Sequence, residues 1–337
     1  MRIGLIDVDG HNYPNLPLMK ISAWHKQRGD SVEWYDPISG IVQKYDKVYM
    51  SKVFSFTQDY CLPIYADEIE KGGTGYCIET VDGREIFHKE LNKDLPYEIE
   101  HIYPDYSLYP EQTADTAYGF LTRGCPRGCS FCIVKDKEGL CSHKVADLSE
   151  FWNGQKNIEL LDPNILAAKE WEELLQQLID SKARVNFNQG LDIRFMTEKK
   201  ADMLSLIPIN NIHFAWDRIE DKNMIQPKFK VFREKSKIRA KDLQVYVLVG
   251  DREQRVLDTD LERIYWLRDN GYAPYVMIYD KYDLPKHHEL KDLQRYVNNR
   301  FIFWNVKTFE EYRTSARGKS KDEEIVSQGQ TTIFDFM

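Results

Sequence analysis

Short apolar runs alternate with helically spaced segments along most of the chain. Residues 2–7 form the first apolar run, and 16–28 carry helix-compatible spacing that Gly29-Asp30 breaks. Residues 31–35 and 47–54 read as a second and third strand. Strand–helix–strand at this pace predicts right-handed crossovers and a small parallel sheet. Gly72-Gly73-Thr74-Gly75 then falls at a turn near the carboxyl ends of those strands. Between 94 and 116 the chain is rich in Pro, Tyr and acidic residues without a period, which predicts an extended connector. A second series follows, with strands predicted at 117–122, 157–161, 184–188, 211–215, 244–249 and 275–279. Helices are predicted at 167–181, 198–206 and 258–270, the last closed by Asn270-Gly271. Six strands with intervening helices predict a partial β/α barrel or a doubly wound sheet, which periodicity alone does not separate. After Tyr312 a polar stretch reads as disordered, and the apolar end Ile333-Phe334-Asp335-Phe336-Met337 follows it. No internal repeat is present.

Composition narrows the class. The 337 residues suit two domains. With 42% hydrophobic and 13% aromatic residues a packed core is affordable, while 30% charged residues exclude an integral membrane protein. No run approaches the ~18 apolar residues of a spanning helix. A net charge of -8 does not favour nucleic acid through the global field, and leaves a local basic groove open. The amino terminus reads as a buried strand and not as a secretory signal, so a cytoplasmic location is expected. Cysteines stand at 61, 77, 125, 129, 132 and 141, three of them within eight residues. In a large chain without a signal, such clustering points to metal and not to a disulfide framework.

The most informative stretch is Gly119-Phe120-Leu121-Thr122-Arg123-Gly124-Cys125-Pro126-Arg127-Gly128-Cys129-Ser130-Phe131-Cys132. It sets Cys-x-x-x-Cys-x-x-Cys directly after a predicted strand. Three thiolates can each hold one iron of a cubane and leave the fourth open to an exogenous ligand, whereas ordinary electron carriers use four cysteines. These residues resemble the radical S-adenosylmethionine (SAM) family, with Cys125, Cys129 and Cys132 in the ligand positions and Phe131 in the aromatic one. The resemblance covers about 114–310. It implies a 4Fe–4S cluster that chelates SAM, reductive cleavage to a 5′-deoxyadenosyl radical, and hydrogen abstraction from a substrate. It also implies a low-potential electron donor of flavodoxin or ferredoxin type. The alternative is a zinc site with Cys141 or His143 as fourth ligand, in a non-catalytic binding protein. Cys61 and Cys77 read as buried small hydrophobes. No cysteine follows Cys141, so one cluster is expected.

In such barrels cofactor and substrate lie over the carboxyl ends of the strands. Asp162, after the second strand of the series, is a candidate for the SAM ammonium or for a helix cap. Asn188 is a candidate for the ribose hydroxyls, and Arg194 for the SAM carboxylate or for a structural ion pair with Asp192. Trp216 reads as packing or pocket wall. Gly250 would let the adenine approach the backbone, and Tyr279 and Asp280 end the sixth strand. No residue stands out as a catalytic acid or base.

The segment Asp7-Val8-Asp9-Gly10-His11-Asn12-Tyr13-Pro14 resembles the loop of cobalamin-binding Rossmann-like domains. There His coordinates cobalt and Asp orients it, so Asp9 and His11 match and Pro14 replaces a Gly. A degenerate domain that binds no corrin is the other reading. The residues around 125–139 are similar to tRNA methylthiotransferases, but charge and spacing do not match their additional domain. Gln330-Thr331-Thr332-Ile333-Phe334 looks like a peptide that docks on sliding clamps. The expected organisation is α/β: a Rossmann-like domain at 1–98, a connector at 99–113, a partial (β/α)6 barrel at 114–313 and a tail at 314–337.

Overall fold

The first strand, β1 (Arg2–Asp7), buries four consecutive residues, as a central strand of a parallel sheet does. In the computed structural model, which describes residues 1–81 and 84–314 apart from the side chains of Arg84 and Tyr282, three further strands complete its sheet. They are β2 (Ser31–Trp34), β3 (Tyr45–Ser51) and β4 (Ala66–Gly72), in the order β2-β1-β3-β4. Strand β1 pairs with β2 and β3, and β3 with β4, all in parallel. Helix α1 (Leu16–Gln27) starts where the Asn15 side chain accepts the Leu18 N–H. Its Leu18, Met19 and Ile21 pack with Ile3 and Leu5 of β1.

Two expectations change here. Strand β4 was not visible in the hydrophobic pattern, because Asp67, Glu68 and Ile69 of this edge strand are exposed. It is held by main-chain pairing and by Lys47, whose ammonium lies 2.8 Å from Glu68 and 2.7 Å from Glu70. The stretch expected to be an extended connector instead contains short helical turns at Tyr97–Glu100, Tyr106–Leu108 and Pro110–Thr113. They carry Ile99, Leu108 and Tyr109 into the core under α1. Prolines 96, 104 and 110 punctuate the segment into single turns that are too short to show a helical period.

The second sheet contains β5 (Thr116–Gly119), β6 (Asn157–Leu160), β7 (Arg184–Leu191), β8 (Ile209–Ala215), β9 (Leu243–Val249) and β10 (Ala273–Ile278). Its order runs sequentially, β10-β9-β8-β7-β6-β5. A doubly wound sheet reverses its order midway, whereas a singly wound (β/α) series does not. The fold is therefore α/β, a Rossmann-like parallel sheet followed by a partial (β/α)6 barrel series. Helices Trp171–Ser181, Glu198–Leu206, Lys222–Lys235, Asp258–Asp269 and Glu289–Asn298 follow β6 to β10 in turn. Lys222–Lys235 contains Pro227, which hid it from a reading based on helix breakers.

The chain divides into two compact units. One comprises Met1–His213 with Glu234–Lys237 and carries the first sheet and the cysteine loop. The other comprises Phe214–Arg233 and the chain from Ile238 onward. Its core is aromatic, with Phe229 and Tyr272 at 4.9 Å between ring centroids and the Tyr272 hydroxyl donating to the Phe229 carbonyl at 2.7 Å. Among the described residues no helix is long and apolar enough to cross a membrane.

Candidate metal centre on the loop after β5

The chain leaves β5 at Gly119, where any Cβ would run into the ring of Phe151. Two residues later it enters a closed loop. Thr122 and Arg123 pair antiparallel with Lys144 and His143, so both ends of the cysteine segment are clasped by a two-residue ladder. Gly124 has φ +81°, and an added Cβ would collide with the Cys141 carbonyl oxygen. Only glycine fits that position. Glu138 ties the same corner, accepting from Arg123 Nη1 at 2.8 Å and from the Gly124 N–H at 3.0 Å. The Cys125 N–H donates to the Gly139 carbonyl at 3.1 Å, and the Cys132 N–H to the Cys129 carbonyl at 3.2 Å.

The three cysteines are partly exposed. Burial pushes the Cys132 thiol up, and the neighbouring Cys125 adds to the rise. The Asn164 amide Nδ2 lies 3.6 Å from Cys125 Sγ, while its Oδ1 is buried without a partner. A thiolate ligand can only accept hydrogen bonds, so an amide N–H aimed at sulfur fits a cluster held by thiolates. Among the described residues no three His, Cys, Asp or Glu side chains converge on one point that a single metal ion could occupy. A zinc site takes four converging ligands, and a cubane takes one thiolate per iron. Cys141 and His143, the zinc alternatives, are exposed. His143 Nδ1 is 3.1 Å from the Cys141 carbonyl.

Several residues expected around the cofactor are committed elsewhere. Asp162 is 3% exposed and accepts from the Leu121 N–H at 3.0 Å, the Thr122 N–H at 2.5 Å and the Thr122 hydroxyl at 2.6 Å. Burial raises its carboxyl to about 6 against those donors. It is neither aimed at an ammonium nor a helix cap; it clasps the outgoing arm of the cysteine loop. Arg194 donates to Asp192 through Nε and Nη2, the latter at 2.6 Å, so the ion pair is the form observed. Trp216 is 1% exposed with its indole N–H on the Arg218 carbonyl at 2.8 Å, which makes it packing. Asn188 donates to Glu159 at 2.5 Å, and Asn186 donates to the other oxygen of the same carboxylate. Phe131 is 44% exposed. Gly250 has φ +81°, and an added Cβ would meet Leu290 at 3.0 Å, so glycine is required there by the backbone. Tyr279 is partly exposed, and Asp280 adopts a left-handed φ of 49°.

The amino-terminal loop departs from the cobalamin pattern. Both Asp9 oxygens accept main-chain donors, the Val53 N–H at 2.5 Å and the Phe54 N–H at 3.3 Å, so Asp9 does not orient His11. The His11 ring stacks on Trp34 with centroids 4.1 Å apart. These residues do not fit a cobalt-ligating pair. Asp9 instead straps the loop after β1 to the loop after β3, which is also why β3 stops at Ser51 and does not run to 54. Beside them the Tyr109 hydroxyl donates to Asp7 at 2.7 Å, and burial pushes the Asp7 carboxyl up. Cys77 is buried as expected, whereas Cys61 is exposed. Gln330–Phe334 lie outside the described residues.

Sequence reasoning missed Asn164 and Glu138. Asn164 follows Pro163 and passes for a turn residue, and Glu138 belongs to no spacing pattern.

No family model matches the chain. Over 166 residues it is 27% identical to the tRNA-2-methylthio-N(6)-dimethylallyladenosine synthase of Buchnera aphidicola subsp. Schizaphis graminum (strain Sg). That alignment covers 36% of this chain and 37% of the relative, so the likeness spans well under half of either. Among solved structures the chain is similar to the radical S-adenosylmethionine methyltransferase TsrM from Kitasatospora setae, which was determined with cobalamin and a 4Fe–4S cluster bound. The TM-score is 0.54 at 10% identity, over 82% of this chain and 74% of the other, a likeness of fold. The first likeness is one of sequence over about a third of the chain, and the second is one of fold over most of it.

Proposed function

We propose that the chain is a radical SAM enzyme whose Cys125, Cys129 and Cys132 hold one 4Fe–4S cluster. One observation carries the reading: three cysteines sit on one clasped loop that leaves the first strand of a sequential (β/α)6 series. A cluster held by Cys125, Cys129 and Cys132 would supply the one-electron reduction of SAM that leads to hydrogen-atom abstraction from a substrate. The chain's own residues supply the frame. Glu138 and Gly124 fix the corner before Cys125, and Asp162 fixes the arm that leads to it. Phe131, half-exposed between Cys129 and Cys132, is left to cover one side of the nucleoside. Asp162 and Arg194 are spent on other partners and are not assigned to SAM. No step is routed through cobalamin, because Asp9 and His11 do not present a cobalt ligand. The electron comes from a low-potential donor of flavodoxin or ferredoxin type in the cytoplasm.

The test is a turnover assay under anaerobic conditions with dithionite and SAM. The proposal expects methionine and 5′-deoxyadenosine from the wild type and none from Cys129→Ala. Reconstituted protein that carries iron yet forms no 5′-deoxyadenosine would overturn the enzymatic reading.

A further inference from the structure

The segment Asp162-Pro163-Asn164 holds both arms of the cysteine loop. Asp162 takes the donors of Leu121 and Thr122 on the outgoing arm. The Asn164 carbonyl accepts from the Ser142 hydroxyl on the returning arm at 2.8 Å and from the Ala167 N–H at 3.2 Å. The structural work of residue 164 is thus done by its main chain. Its side chain is a separate matter. It is 0% exposed, donates from Nδ2 toward Cys125 Sγ at 3.6 Å, and leaves Oδ1 buried with no partner.

An unpartnered buried acceptor is unfavourable, and an apolar side chain of the same shape would avoid that cost. The amide is therefore in the less stable of two available solutions, and its N–H···S contact is the only return on that cost visible among the described residues. An iron-bound thiolate carries no proton and can only accept, so the amide nitrogen must face sulfur and the oxygen must turn away. That is the orientation observed.

We propose that Asn164 is a positioning residue that sets the reduction potential of the cluster by donating a hydrogen bond to the Cys125 thiolate. The inference rests on the cluster reading above. Reduction adds negative charge that spreads onto the cysteine sulfurs, and a fixed donor stabilises the reduced form more than the oxidised one. The bond raises the potential and makes the electron easier to deliver.

The experiment compares the full-length wild type with Asn164→Leu and Asn164→Asp after anaerobic reconstitution. Iron and sulfide are counted, and the reduced-cluster signal is titrated against potential by electron paramagnetic resonance. Both variants keep their iron. At the potential where the wild type is half reduced, the reduced-to-oxidised ratio of Asn164→Leu falls about tenfold, which is 59 mV for a one-electron couple. Asn164→Asp keeps the side-chain shape, reports even if the leucine variant fails to fold, and falls further because it adds negative charge. An iron-bearing wild type with the same potential in the variants overturns this inference alone. An iron-free wild type overturns the cluster reading and the inference with it.

Discussion

The Thr122 hydroxyl stands 2.6 Å from the Asp162 carboxylate, inside a buried shell that also brings the Leu121 and Thr122 N–H groups onto the same two oxygens. Burial outweighs the three donors and lifts the carboxyl from its ordinary value of 3.8 to about 6. The sign follows from linkage. Between about pH 4 and 6 the native chain holds a proton that the unfolded chain has released, so this group favours the fold as pH falls through 6. The gain is complete near pH 4. Across that window the wild type gains on the order of 3 kcal/mol relative to Asp162→Asn, which does not titrate. Urea unfolding of both proteins at pH 7, 6, 5 and 4 measures it; parallel profiles would show that Asp162 does not titrate there.

Gly124 is the corner on which the loop closes. Gly124→Ala combines a left-handed backbone, about 1–2 kcal/mol unfavourable for an alanine, with a collision against the Cys141 carbonyl. The expected outcome is loss of most reconstituted iron with far-ultraviolet circular dichroism close to wild type. Full iron content in this variant would mean that the corner adapts.

Tyr109 couples the short helical turns after the first sheet to its central strand, through the hydrogen bond from its hydroxyl to Asp7. Tyr109→Phe removes one donor from a half-buried carboxylate that keeps its Asp9 main-chain donor, and should lower the stability of the fold by about 1 kcal/mol at neutral pH. It should also push the Asp7 carboxyl higher than burial already does, so that the deficit shrinks as pH falls and Asp7 takes up its proton. Denaturant melts at pH 7 and 5 measure both effects.

Much of this arrangement was legible in the sequence. The buried run of β1, the six-strand series and the helix Glu198–Leu206 were readable because each buries a face that the hydrophobic period records. The cysteine motif was readable because its chemistry needs particular residues at particular spacings. What escaped was held by other forces. Strand β4 depends on main-chain pairing and on Lys47, and the turns at 97–113 are shorter than any period. Asp162 and Arg194 were read by residue type and place in the chain, but a polar side chain at a strand end can face a ligand or its own backbone. Local donors decided it: Leu121 and Thr122 claimed the first, and Asp192, two residues away, claimed the second. Asp9 shows the same competition, since the free N–H groups of Val53 and Phe54 captured the carboxylate that a cobalt site would use to orient His11.

The most direct measurement is the iron and acid-labile sulfide content of the full chain after anaerobic reconstitution, in the wild type and in Cys125→Ala, Cys129→Ala and Cys132→Ala. The account predicts about four of each per wild-type chain and severe loss in every single variant. A colourless wild type, or variants that retain the full complement, would contradict it.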